Sequence, residues 1–297
     1  MVAVLAFLAK AGPDCQDGAK HTGYAHAAVT AGLFHVAVFC TGMVADGALE
    51  AMLMRGPEPP LPAAPAASIA LISYWCLLFG GRLCAESTVA GRSSVVYELA
   101  WSCTAMLLLA AAAIHLRKTV LLCATGVLVA IDQVLWYVDI LGYLVLDKLP
   151  IKVCGYLFWP TTGLMKKATA WHHVLFVPLV VFVCARSDGL PLGRGVLVSA
   201  AMTVASQVVC RYCTPLELPP GPGEDKPRYL NLNLCHEAFK GLKVEWIKRY
   251  DRARPAVYLP WMLWIWNAGN IGLFALLAGL LLLVARLLGF PGARMIM

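Results

Sequence analysis

The chain has 297 residues, of which 60% are apolar and 14% charged, with a formal charge of +7 and a mean hydropathy of +0.71. A soluble domain carries roughly a quarter charged residues and just under half apolar ones, so this composition excludes an ordinary soluble fold. It suits an all-α, polytopic transmembrane bundle, because each crossing of a bilayer takes about 20 apolar residues.

In chain order, the first nine residues, MVAVLAFLA, are apolar but too short to span. They lack the basic start and cleavage site of a signal peptide and suit a short anchor at the interface. Apolar runs of spanning length follow at about 24–44, 63–81, 95–116, 119–146, 169–185, 195–213 and 256–288. The expectation is a single bundle over 1–297 with about seven spans, six to eight being the range. Segments 45–65 and 214–229 are Pro-rich loops that cannot continue a helix. Dense alanine over 66–113 allows close helix approach. No internal repeat is visible, which weighs against an inverted-repeat transporter.

Segment 149–165 is apolar but short, and contains Lys152 and Pro160. Were it to span, the 24 Lys and Arg residues would divide 14 to 10 between the two sides; with seven spans they divide 17 to 7. The positive-inside rule therefore favours seven. The N-terminus and the basic segment 211–254 then share the cytoplasmic or equivalent side. Within 236–254, Phe239, Leu242, Trp246 and Tyr250 form one helical stripe flanked by basic residues. That pattern predicts an amphipathic helix lying in the headgroup plane and favouring anionic lipid. Asn231, Asn233, His236, Lys240, Lys243, Lys248 and Arg249 are the candidate headgroup contacts.

Ionisable groups inside a span are expensive and mark candidate sites. In IDQVLWYVDILGYL, Asp132 and Asp139 lie two helical turns apart on one face, with Gln133, Trp136 and Tyr137 between them. At least one of the two is expected to be paired or neutral, and His173 is the nearest partner in sequence. His172 and His173 open the next span, in TAWHHVLFVP, and point about 100° apart, so one can face the interior while the other turns toward the lipid or interface. The expected intramembrane polar site is Asp132, Gln133, Tyr137, Asp139, His172 and His173. His35 and Glu98 also fall inside spans, and Glu98 reads as a snorkelling end residue.

Cysteines 40, 76, 103, 123 and 184 sit in apolar runs, where cysteine behaves as a small hydrophobe, and a disulfide framework is not expected. Cys210 and Cys213 form a CxxC, followed by Cys235 and His236, but this spacing is a poor match to zinc motifs, and packing is the better reading. Asn267 and Asn270 in the last span suit hydrogen bonds between helices. No phosphate loop, nucleophile elbow, HExxH or histidine box is present, so no cofactor, metal or catalytic set is read from motifs. No nucleic-acid-binding pattern accompanies the basic segment.

From about 130 to 270, the pieces LWYVDIL, YLFWP, WHHVLFVP and YLNLNLCHE resemble, in order, the YwaF-type bacterial membrane proteins and their eukaryotic ether-lipid acyltransferase relatives. The resemblance implies that His173 matches the family histidine. The family's proposed nucleophile is a cysteine on the polar helix, where this chain has Trp136, Tyr137, Val138 and Asp139. Three functions remain open from the sequence: a polar intramembrane site that binds or moves a lipid or small solute, a non-catalytic subunit of a membrane complex, and a lipid acyltransferase-like enzyme.

Overall fold

A computed structural model describes residues 23–52, 64–160, 162–187, 189–220, 226–289 and 295–296. The first nine residues and most of the Pro-rich segment 45–65 lie outside them. The fold is mostly helical: α1 Tyr24–Met52, α2 Pro65–Ala85, α3 Val89–Tyr97, α4 Ser102–His115, α5 Thr119–Leu128 and α6 Ala130–Leu146. These are followed by α7 Leu164–Ala168, α8 His172–Ala185, α9 Leu192–Cys213, α10 Glu245–Lys248 and α11 Pro255–Leu287. Among the described residues, five helical stretches are long and apolar enough to cross a membrane, one of them Leu164–Ala185. The count reaches seven if α3 with α4 and α5 with α6, bent by 56° and 51°, are each taken as one span. The expected loop 45–65 begins late, since α1 runs on to Met52 before its first proline.

Helices α4 and α5 are the centre of the packing. Nearly every residue from Ser102 to Ile131 is buried outside the turn at 116–118. Small side chains permit this: Ala105, Ala110, Ala111, Ala113 and Ala124 all lie in the main core with Phe34, Leu121, Val180 and Phe274. Around them, α1 packs on α9, α9 on α5, α2 on α4, α5 on α8 and α11 on α6. The approach of α9 to α5 requires glycine, because a Cβ at Gly195 would stand 2.6 Å from Cys123 Sγ. Thr30 Oγ1 donates to the Cys213 carbonyl at 3.2 Å, so the start of α1 and the end of α9 meet at one end of the bundle.

The two bent pairs share one construction. A break in a helix strands backbone N–H and C=O groups, and in an apolar interior each must find a partner. At the α3–α4 break, Asn233 accepts from the Ser102 N–H at 2.7 Å and donates Nδ2–H to the Ala100 carbonyl at 2.8 Å. At the α5–α6 break, Asn270 accepts from the Ile131 N–H at 2.9 Å and donates to the Leu128 carbonyl at 2.8 Å. Each amide therefore replaces the missing helical bonds. Asn270 makes the interhelical bonds expected of it, whereas Asn267 bonds only the Leu263 carbonyl one turn back in its own helix.

Segment 149–160 forms no spanning helix. It holds a 3-10 turn, Gly155–Phe158, and folds back onto α6. The amphipathic helix expected over 236–254 is reduced to the single turn of α10. The chain there closes on itself instead. The Arg252 N–H donates to the His236 carbonyl at 3.1 Å, the Ala238 N–H to Asp251 Oδ1 at 2.8 Å, and Arg252 Nε to Glu237 Oε2 at 2.5 Å. Those links between the ends forbid a straight helix.

Replacing Asn270 with leucine would leave the Ile131 N–H and Leu128 carbonyl unpaired, at about 1–3 kcal/mol for each group. The expected result is a clear drop in thermal stability in detergent, larger for Asn270→Leu than for Asn267→Leu. Equal losses would show that the break does not depend on its amide.

Candidate functional site

The first turns that follow the two breaks carry Cys103, on α4, and Asp132 and Gln133, on α6. Against them stands the start of α8. Cys103, His172 and His173 each bring one ligand atom to a group whose members all lie within 4.8 Å of one another. Among the described residues this is the one His/Cys/Asp/Glu group close enough to share a metal ion. Asp132 lies close enough to Cys103 to act on its thiol electrostatically. Its carboxylate makes no hydrogen bond or ion pair with the described residues.

Both histidines turn inward, contrary to the expected 100° divergence. Their ring centroids are 4.0 Å apart, and His172 is only 4% exposed. Thr169–Trp171 form turns just ahead of the two histidines. His173 then stacks on Trp136 at 4.5 Å with the planes 3° apart, and Tyr74 packs edge-on against His172. His172 Nδ1 bonds the Thr169 carbonyl at 3.0 Å and His173 Nδ1 the Ala170 carbonyl at 2.9 Å. A carbonyl only accepts, so Nδ1 carries the proton in both rings and the free lone pair lies on Nε2. His172 Nε2 is buried and has no hydrogen-bond partner. Gln133, its amide turned so that nitrogen faces α8, donates to the His172 carbonyl at 3.1 Å and to the His173 carbonyl. Tyr137 donates to the Val174 carbonyl at 2.8 Å. These two residues hold the backbone that carries the histidines.

A buried ion network supports the same turn. Arg82 donates from Nε to Thr169 Oγ1 at 2.8 Å, from Nη2 to the Thr169 carbonyl at 3.3 Å, and from Nη1 to Glu98 Oε2 at 3.1 Å. Lys166 Nζ binds the other Glu98 oxygen at 2.8 Å. Glu98 is therefore an internal ion-pair residue at the α3–α4 break and not a snorkelling end group. Arg82, in the last turn of α2, is buried.

Asp139 is not the partner of His173. It is 0% exposed, and its carboxylate accepts the N–H groups of Ile151, Lys152 and Cys154 at 2.8, 3.0 and 3.2 Å. It staples the folded-back segment to α6. The candidate headgroup contacts also divide. Asn231, Asn233 and His236 are buried. His236 Nε2 donates to the Thr214 carbonyl at 3.0 Å, while Asn231 accepts from the His236 N–H at 3.1 Å. Arg211, wholly buried, donates to the carbonyls of Cys235 and Ala253. Lys240, Lys243 and Arg249 are exposed and Lys248 half-buried, so these four alone remain available at the surface. No disulfide forms among the described cysteines. Cys210, Cys213, Cys235 and His236 form no metal group.

Cys103 is the functional candidate that sequence reading missed. Its surroundings, AWSCTAML, look like any apolar helix, and no spacing rule links it to residues about 70 positions away. The only local hint was the Trp101-Ser102 step into a new helix. No family model, curated protein or solved structure matches the chain.

Two expectations follow. Asp139→Asn keeps one oxygen for the loop N–H groups but turns an amide nitrogen toward the rest, so it should lower stability and loosen 149–160, with little effect on chemistry at Cys103. Proteolysis and thiol labelling of the folded variant measure the two effects separately. Glu237 gives a pH dependence. Burial alone would raise its carboxyl, but hydrogen bonds from Arg252 and Tyr229, with the charges of Arg252 and Lys240, hold it below the usual glutamate range. A carboxylate depressed in the folded state stabilises fully above its unfolded value of about 4.3, and loses that contribution as the pH falls through the lower folded value. Asp251 acts in the opposite sense, since burial raises its carboxyl. Loop 236–252 should therefore become protease-accessible on acidification in the wild type, and Glu237→Gln should flatten that response; an unchanged response would rule out Glu237 as its source.

Proposed function

We propose that the chain is a multi-pass membrane protein and that its buried thiol–imidazole group makes it a lipid acyltransferase-like enzyme. Several features support the membrane reading. The outward faces of the long helices carry Val29, Leu33, Val36, Ile69, Leu77, Leu276, Leu280 and Leu283, while charged Asp46, Arg82 and Arg194 are buried. Such an inverted surface is costly in water and favourable in hydrocarbon. Exposed Trp159, Trp171, Trp246 and Trp264 suit the aromatic belts of a bilayer interface.

The observation that carries the enzyme reading is the gathering of Cys103 with His172 and His173. A histidine takes the Cys103 proton, and the thiolate adds to the ester carbonyl of a donor lipid. The tetrahedral intermediate collapses, the imidazolium protonates the departing alkoxide, and an acyl-thioester remains on Cys103. The hydroxyl of an acceptor lipid, deprotonated by the same imidazole, then attacks the thioester and restores the thiol. Thiol and imidazole Nε2 share no hydrogen bond at His172, and such contacts commonly tighten only when substrate is bound. Cys103 sits in the first turn of α4, where the helix dipole favours negative charge.

This reading agrees with the family resemblance in using His173, and it draws the missing cysteine from a different helix than the resemblance implies. It also separates the enzyme from a passive subunit. In a subunit the polar groups would satisfy one another, as Asp139, Asn233 and Arg211 do, but Asp132 and His172 Nε2 do not. The four basic residues at 240–249 would face anionic headgroups.

The test uses full-length protein in nanodiscs with a labelled phospholipid donor. A hydroxylamine-labile acyl group should appear on Cys103. Cys103→Ala should abolish transfer, and His173→Phe should slow it by about 10²–10⁴-fold, the usual contribution of a general base. Transfer that survives Cys103→Ala would sink the enzyme reading, and binding or movement of a lipid or small solute would then lead.

A further inference from the structure

We infer that Cys103, His172 and His173, completed by Asp132, also form a binding site for a soft divalent cation of the zinc class, and that the bound ion silences the thiol. The silencing rests on the acyl-transfer reading above; the binding does not.

The donor set is the first argument. Thiolate and imidazole are the ligands that zinc takes most readily, with a carboxylate oxygen as a common fourth. Zinc–donor lengths of about 2.0–2.3 Å place tetrahedral ligands about 3.5 Å apart. The three donor atoms already lie within 4.8 Å of one another, so side-chain adjustments of about 1 Å bring them to tetrahedral spacing, while Asp132, outside that group, has farther to move to supply the fourth ligand.

The second argument is the support behind each histidine. Metal-binding imidazoles usually donate their other N–H to a carbonyl or carboxylate, which fixes ring orientation and leaves a lone pair for the ion. His172 and His173 both do this, through the carbonyls of Thr169 and Ala170. The lone pair of His172 Nε2 is aimed into the protein interior with no hydrogen bond to meet it.

Charge is the third argument. One thiolate, one carboxylate and a divalent ion sum to zero, and a neutral assembly is the kind a low-dielectric interior tolerates. Asp132 lies outside the 4.8 Å group but close enough to act on the Cys103 thiol through its charge, and it makes no ion pair among the described residues. Arg82 is the nearby charge that opposes a cation, and Glu98 takes it up at 3.1 Å.

Occupation of the site would remove the thiolate lone pair and both imidazole lone pairs at once. The nucleophile and its base would be lost together.

The experiment takes the full-length protein, strips it with a chelator, and titrates it with Zn²⁺ and with Co²⁺. A single ion per chain should bind, and Co²⁺ should give a thiolate-to-metal charge-transfer band. Cys103→Ser should lose that band, and Asp132→Asn should weaken binding by at least about 10-fold to 100-fold. In wild-type protein, Zn²⁺ should block alkylation of Cys103, and the chelator should restore it; this arm needs no variant to fold. Thioester formation, measured in parallel, should stop with Zn²⁺ and resume on chelation. If Zn²⁺ neither binds nor protects Cys103 while acyl transfer proceeds, the metal inference is wrong and the enzyme reading stands. If the ion binds through Cys103 but no acyl transfer is seen with or without it, the site stands and its silencing role falls with the enzyme reading. If Zn²⁺ leaves transfer unchanged or raises it, silencing is overturned.

Discussion

Everything at the centre of this molecule follows from the need to satisfy backbone groups freed where two buried helices break. An apolar interior offers no water to do so, and an unpaired N–H or C=O there costs more than most side-chain contacts return. Asparagine is suited to the task because one short side chain presents both a donor and an acceptor, as a peptide group does. Aspartate would offer only acceptors, and leucine neither. Asn233 meets a second demand, since it and Asn231 lie in left-handed backbone at φ 52° and 39°, a region asparagine tolerates better than most residues. The neighbouring Leu234 is held there too, at φ 54°, with its carbonyl bound by the Tyr258 hydroxyl at 2.6 Å. The breaks have a chemical consequence. They set two helix N-termini inside the bundle, and Cys103 and Asp132, the groups there that can bear negative charge, occupy those first turns.

Once bonds are assigned, the polar interior separates into two populations. Asp139, Glu98, Arg211, Asn231, Asn233 and Asn270 each have their hydrogen-bonding capacity taken by named backbone or charged partners. They hold loops and breaks in place, and their burial needs no functional explanation. His172 Nε2 is different, because burial without a partner is expensive and here falls at the same spot as a thiol. Other buried atoms without partners, such as His35 Nε2 and Trp75 Nε1, are not gathered with further donors of this kind. A cluster of unmet groups marks the site better than the polarity of any one residue.

The helices were legible because hydrophobic runs of spanning length are a strong signal. The stretches read at 24–44, 63–81, 95–116 and 119–146 each correspond to a helix or a bent pair. The bends left no comparable mark, since neither Trp101 nor Val129 is a proline or glycine. His172, His173 and Asp132 could be found because charge and imidazole stand out in an apolar context. Asp139 stood out for the same reason and was misread, since its partners are N–H groups that every sequence contains. Cys103 was hidden by its chemistry: cysteine is apolar enough to pass as filler until the fold brings a base to it. In 236–254 the helical period was present in Phe239, Leu242, Trp246 and Tyr250, but end-to-end bonds between Glu237 and Arg252 overrode it. Local periodicity loses when tertiary links close a loop.

The Arg82 network gives a reason for keeping ion pairs in an interior where their net contribution to stability is small. The Thr169 carbonyl accepts from both Arg82 Nη2 and His172 Nδ1, so its two lone pairs are used, one by a cation and one by the ring. The Thr169 hydroxyl is fixed as well, accepting from Arg82 Nε and donating to the Met165 carbonyl at 2.6 Å. Moving Arg82 would therefore release the turn that aims His172, though Arg82 lies 87 residues from Thr169 in sequence. Glu98 holds Arg82, and Glu98 is itself fixed at the α3–α4 break that presents Cys103. The base and the thiol are thus positioned through a common set of charges. Geometry at one end of the site cannot drift without the other, and that coupling is what an isolated pair of hydrophobic helices could not provide.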